Sequence, residues 1–324
     1  MPSLLSRLLG AGRGGAWAAR PPHRESSVYR LALDRRSAVP GTLRRLSPSG
    51  NFGQPMVTRC GRRVAWWGAG TAGDTARIWV AATDGAQEVR CVSRGAGIQG
   101  HPYWHPDGRR LAHFASPAAS WNPQRQFSTE RPPANLWWLD VETGESTPLT
   151  EGPHVDERPA VAPDGRTVVF VSNRSGRLNL WRVNADGKGL TQVTDGPGPD
   201  YRPCISPDGL LLAFFSPATG GAHQVRLLEL ATGEERACDW TRRFTWSHGP
   251  FWYPDGQSLL VHAHERGARA PALWQVNLGH SDVRRLDTPG LGSASHGTVD
   301  DAERWLVFDS RDSPDGGVDS IARC

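Results

Sequence analysis

No stretch of the 324-residue sequence joins a basic start to an uninterrupted apolar core: Arg7 splits Leu4-Leu5 from Leu8-Leu9, and glycines follow. A secretion signal or a membrane-spanning helix needs such a core. Residues 1–27 carry Arg7, Arg13, Arg20 and Arg24 with no acid until Glu25, and are expected to form a disordered basic tail. Cysteine is sparse. The five (Cys60, Cys91, Cys204, Cys238, Cys324) are widely spaced, odd in number and without a CxxC, so neither a zinc knuckle nor a disulfide framework is indicated. They are expected as small buried hydrophobes plus one terminal thiol, which favours a reducing compartment, the cytoplasm, with the periplasm as the alternative. The net charge is only +4, and no Lys/Arg block follows an aromatic stripe, which argues against nucleic acid as a partner. There is no P-loop, no GxGxxG and no GxSxG. Gly292-Ser293-Ala294-Ser295-His296 has neither the spacing of a nucleophile elbow nor a strand before it.

Tryptophan (14), glycine (37) and proline (26) are abundant, as many short strands and tight turns require. From Leu149 to Gly196, apolar runs of strand length alternate with Asp-Gly and Asn-rich punctuation: Val168–Val171, Asn173–Gly176, Leu178–Val183, Ala185–Gly187. The Pro163-Asp164-Gly165 turn recurs as Pro106-Asp107-Gly108, Pro207-Asp208-Gly209 and Pro254-Asp255-Gly256, with degenerate copies at Arg59-Cys60-Gly61 and Asp300-Asp301-Ala302. Their middle residues are 47, 57, 44, 47 and 46 positions apart. Seven residues beyond each lie Trp67, Phe114, Val171, Phe215, His262 and Phe308. A period in the mid-forties with four strands per unit marks a propeller blade.

The Pro-Asp-Gly turn with its apolar strand, then Ser172–Gly176, Leu178–Gly187 and Leu190–Gly196, resemble the WD40-like repeat of TolB and its relatives, closely over about 149–216 and more loosely across 28–324. The resemblance implies a six-bladed β-propeller of four-stranded antiparallel blades, with seven blades as the alternative. Val28–Leu33 and Thr42–Ser47 read as third and fourth strands that complete the last blade, begun by Trp305–Phe308. Val318–Arg323 is a rival strand for that place. The paired positions Ile78-Trp79, Leu136-Trp137, Leu180-Trp181 and Leu273-Trp274 are expected in the core between blades. The Asp of each turn is expected to cap backbone amides rather than act on a substrate. A monomer without a membrane span is expected.

The first strand of each blade should line the channel. Six residues before each turn stand Gln54, His101, Arg158, Arg202 and, in the fifth unit, Gly249 with His248 beside it; in the sixth, His296 lies one place later. The long insertion 117–135 carries Trp121, Asn122, Gln124, Arg125 and Arg131, and other loops of the same face bring Asn173, Arg174, His264 and Arg266. Imidazoles and guanidiniums beside a Trp-bearing flap suit an anionic ligand. The expected function is a binding or interaction module that holds a protein partner or an anionic glycan at the channel mouth. The alternative is a metal-dependent lyase of acidic, uronate-type oligosaccharides. Three His and a Gln are donors suited to a divalent ion such as manganese or calcium. The constellation is similar to that of oligogalacturonate lyase. That resemblance implies His101, His248, His296 and Gln54 as metal ligands, with Arg158 or Arg202 as the base.

Overall fold

The computed structural model describes residues 25–70, 75–118, 128–217, 223–280 and 282–311. The chain enters with β1 (Ser27–Asp34), β2 (Ser37–Ala38) and β3 (Arg44–Arg45). Five four-stranded blades follow. They are β4 (Asn51–Val57) to β7 (Arg90–Cys91), β8 (Ile98–Trp104) to β11 (Ser146–Pro148), and β12 (Asp156–Val161) to β15 (Thr191–Gln192). The fourth and fifth are β16 (Tyr201–Ile205) to β19 (Glu235–Ala237) and β20 (Phe244–Trp252) to β23 (Val283–Arg285). The sixth blade joins β24 (Ser295–Val299) and β25 (Trp305–Ser310) to β1, which pairs with β25 from Ser27↔Ser310 to Ala32↔Trp305, and then to β3. The described residues thus form a six-bladed propeller; the candidate extra strand Val318–Arg323 lies outside them.

The first strands touch one another in sequence, β4 to β8, β12, β16, β20, β24 and back to β4, and so enclose the channel. A lone blade cannot bury both its faces, and the core is divided accordingly: each of six apolar clusters straddles one seam. Strand alternation sends the two members of each Ile/Leu-Trp pair to opposite faces. Ile78, Leu136, Leu180 and Leu273 are fully buried and Trp274 is buried with them, while Trp79, Trp137 and Trp181 are only partly buried; Trp79 and Trp181 still pack against the clusters at the seams. The turn aspartates act as caps: Asp107 accepts from the N–H of Arg109 and Arg110, Asp164 from Arg166, Asp208 from Leu210, and Asp255 from Gln257 and Ser258. Cys204 and Cys238 are buried thiols, but Cys60, in a turn, and Cys91, on the outermost strand β7, are exposed, against expectation. Among the described residues no helix is long and apolar enough to cross a membrane.

Candidate functional site

Every first strand carries the same irregularity. In blade 1 the register passes from Gly53↔Trp67 to Met56↔Ala65, so two residues, Gln54 and Pro55, oppose one. The same bulge falls at His101-Pro102, Arg158-Pro159, Arg202-Pro203, Gly249-Pro250 and His296-Gly297. Proline has no N–H to give a ladder and is tolerated where the ladder is interrupted. The first residue of each bulge takes a left-handed backbone: φ is 53° at Gln54, 51° at His101, 52° at Arg158, 54° at Arg202, 66° at Gly249 and 50° at His296. For a residue with a Cβ this costs about 1 to 2 kcal/mol. The bulge breaks the alternation of the strand and places one equivalent position from each blade on a common ring around the channel.

Two bonds cross the ring, each passing over one blade. Arg158 Nη1 donates to Gln54 Oε1 at 3.3 Å, and Arg202 Nη2 donates to His296 Nε2 at 3.1 Å. Arg202 runs past Gly249, where a Cβ would lie 3.6 Å from its Nη1; a larger side chain there would obstruct it. His296 Nδ1 lies 2.7 Å from Asp309 Oδ1, which also accepts the Gln54 backbone N–H at 2.9 Å. A carboxylate only accepts, so the imidazole carries its proton on Nδ1 and presents the Nε2 lone pair to Arg202. Arg158 is buried, with its Cζ 4.4 Å from the centre of the Tyr201 ring. The Tyr201 hydroxyl donates to Glu157 Oε1 at 2.7 Å. Arg131, from the end of the long insertion, clamps both oxygens of that buried carboxylate at 2.8 and 3.2 Å.

The electrostatics follow from this packing. Burial alone would raise the Glu157 carboxyl, but Arg131 and Arg158 outweigh it and hold it below the usual range. Burial, and then the guanidiniums of Arg158, Arg202 and Arg131, hold His101 well below the ordinary imidazole value; its ring sits 4.9 Å from both Trp67 and Phe114. His296 is also lowered, by burial first and against the pull of Asp309. Burial, and then the neighbouring Arg158, push Arg202 down from the ordinary guanidinium value. Both cations are therefore crowded, and among the described residues neither forms an ion pair with a carboxylate.

The structure brings Gln54, His101, Arg158, Arg202 and His296 onto one ring. The His248 side chain, and Trp121, Asn122, Gln124 and Arg125, lie outside the described residues. Arg131 and Arg174 are committed to Glu157 and Asp156, His264 to Thr245 and the face of Trp246, and Arg266 to the Arg242 carbonyl. As for the metal, no group of three or more His, Cys, Asp or Glu among the described residues is placed to hold an ion. Both nitrogens of His296 are engaged, and two guanidiniums stand in the ring, so these described donors do not fit a divalent cation. Beneath the ring the channel continues as a small cavity of about 80 Å³ walled by Tyr103, Trp104, Val161, Cys204 and Trp252.

Asp309 is the site residue that the repeat spacing misplaces. The structure aligns Ser295↔Asp309 with Gly53↔Trp67 and Gly100↔Phe114, so Asp309, not Phe308, is the sixth counterpart of Trp67, Phe114, Val171, Phe215 and His262. The sixth turn is one residue later than its Asp-Asp-Ala string suggests: Glu303, at φ 52°, occupies the place of the turn glycine. On that frame His296 falls in register with the other five.

The closed ring of bulged blades and its cationic mouth define a six-bladed β-propeller with a polar channel. It is TolB-like: residues 116–248 match the TolB beta propeller domain. The crystal structure of TolB from Acinetobacter baumannii superposes with a TM-score of 0.60 at 17% identity, over 88% of this chain and 64% of that one. Oligogalacturonate lyase from Vibrio parahaemolyticus gives a TM-score of 0.56 at 14% identity, over 85% of this chain and 82% of the lyase. The uncharacterized peptidase YuxL of Bacillus subtilis is 36% identical over 75 residues, 23% of this chain and 10% of the peptidase. The chain therefore matches under two thirds of the Acinetobacter TolB and a tenth of the peptidase. At such identities the structural likenesses establish the fold.

Proposed function

We propose that this TolB-like propeller is a binding module whose channel mouth receives an anionic group of a protein partner or an anionic glycan. One observation carries the reading: Arg158 and Arg202, held on strained left-handed backbone, point their guanidiniums at neutral acceptors and pair with no carboxylate among the described residues. Strain of this kind persists where the surroundings over-determine it, and it clusters at binding sites. The free thiols favour the cytoplasm as its place. A screen of anionic glycans and acidic peptides, with a pull-down beside it, tests the reading in wild type and in Arg158→Ala/Arg202→Ala. Binding that disappears in the variant while far-UV circular dichroism stays the same supports it, and binding that survives contradicts it. Stoichiometric divalent metal in the purified protein, with ultraviolet absorbance rising on uronate oligomers, would replace it by the lyase alternative.

A further inference from the structure

We propose that the group received by the ring is a single carboxylate, each of whose oxygens takes one guanidinium in place of Gln54 Oε1 and His296 Nε2. This deepens the anion-site reading and rests on it. The present acceptors are an amide oxygen and an imidazole nitrogen, at 3.3 and 3.1 Å. Charge-assisted bonds to an ionised oxygen close to about 2.7–2.9 Å and are roughly twice as strong. Both guanidiniums therefore stand ready to exchange a neutral partner for a charged one. Two donors on blades 3 and 4 match a planar group with two oxygens.

The charge of the layer fixes the valence of the ligand. Among the described residues its groups in mutual contact are Arg131, Arg158 and Arg202 against Glu157 and Asp309, which is three positive and two negative charges, or +1. The buried His101, His262 and His296 are all lowered by burial and stay neutral. The nearby Arg174–Asp156 pair cancels itself, and Arg311 is exposed to water. A monoanion brings the layer to zero. A dianion would leave one uncompensated negative charge beside the Asp309 and Glu157 carboxylates, in a place where burial magnifies the cost.

The test is isothermal titration calorimetry on the full chain at slightly alkaline pH with propionate, inorganic phosphate, and tri-alanine carrying either a free or an amidated C-terminus. Propionate or the free-acid peptide should bind at least about tenfold more tightly than phosphate, equivalent to about 1.4 kcal/mol. Binding should weaken by a similar factor or more in Arg158→Gln and in Arg202→Gln, with tryptophan emission reporting that each is folded. Binding of propionate alone names a small organic acid as the source, and of the free-acid peptide alone a chain terminus. Phosphate equal to or tighter than both carboxylates overturns the carboxylate assignment and leaves the anion site standing, as does an amidated peptide that binds as well as the acid. No anion bound at all overturns both.

Discussion

Five ring residues that carry a Cβ occupy backbone suited to glycine, and the polar contacts around them are equally uneconomical. His113 carries a cost of a different kind. It lies opposite the bulge of blade 2, where the other blades place Trp66, Phe170, Phe214, Val261 and Phe308. Burial pushes its imidazole down to about 4 from 6.5, and among the described residues its Nε2 has no hydrogen-bond partner. The sign is fixed: between those two values the unfolded chain holds a proton that the folded chain refuses, so stability falls as pH drops from 6.5 towards 4. Glu157, lowered in the fold, adds a loss of the same sign at more acid pH, because its pairing with Arg131 is forfeited on protonation. His113→Phe restores the aromatic of the repeat. It should flatten the acid limb by up to about 3 kcal/mol, read as urea midpoints at neutral and mildly acid pH. An unchanged slope would refute the assignment.

At the scale of elements, the hairpin between β1 and β2 turns through Arg35 and Arg36, with φ of 45° and 63°. Two-residue turns of that hand favour Asn-Gly. Arg36 is held by Glu303 and Asp255, while Arg35 is exposed. Arg35→Asn should therefore stabilise by about 0.5 to 1 kcal/mol, visible as a higher urea midpoint at constant slope. Leu31, buried in the strand that closes the ring against β25, should cost about 2 to 5 kcal/mol on replacement by Ala, as a core leucine does. A loss of under half a kcal/mol would mean that the closing strand is dispensable. The blades were legible in the sequence because Pro-Asp-Gly turns and apolar runs repeat at fixed offsets, and five of the six ring positions followed by counting back, the sixth lying one place off. The contacts across the channel were not, since Arg158–Gln54 and Arg202–His296 join blades 104 and 94 residues apart in sequence, and no local pattern encodes such a meeting. Asp309 escaped for a narrower reason: a turn with Glu303 in the place of glycine shifted the sixth frame by one residue. Aligning all six units on their bulges would have shown a carboxylate where the others carry Trp, Phe, Val or His.

Over the whole molecule, six seams of apolar packing form a rigid frame, and the polar irregularities gather on its axis. The frame absorbs the strain of the ring, and the ring gives the axis two guanidiniums that, among the described residues, pair with no carboxylate. The central claim is that this mouth binds anions. Thermal unfolding tests it most directly, with propionate, phosphate or sulfate exchanged for chloride at fixed ionic strength, in wild type and in Arg158→Gln/Arg202→Gln. A ligand at about 100 times its dissociation constant should stabilise the wild type by about 2.7 kcal/mol, saturably, and the double variant should show no such gain. Equal shifts in both proteins, or none in the wild type, would contradict the account.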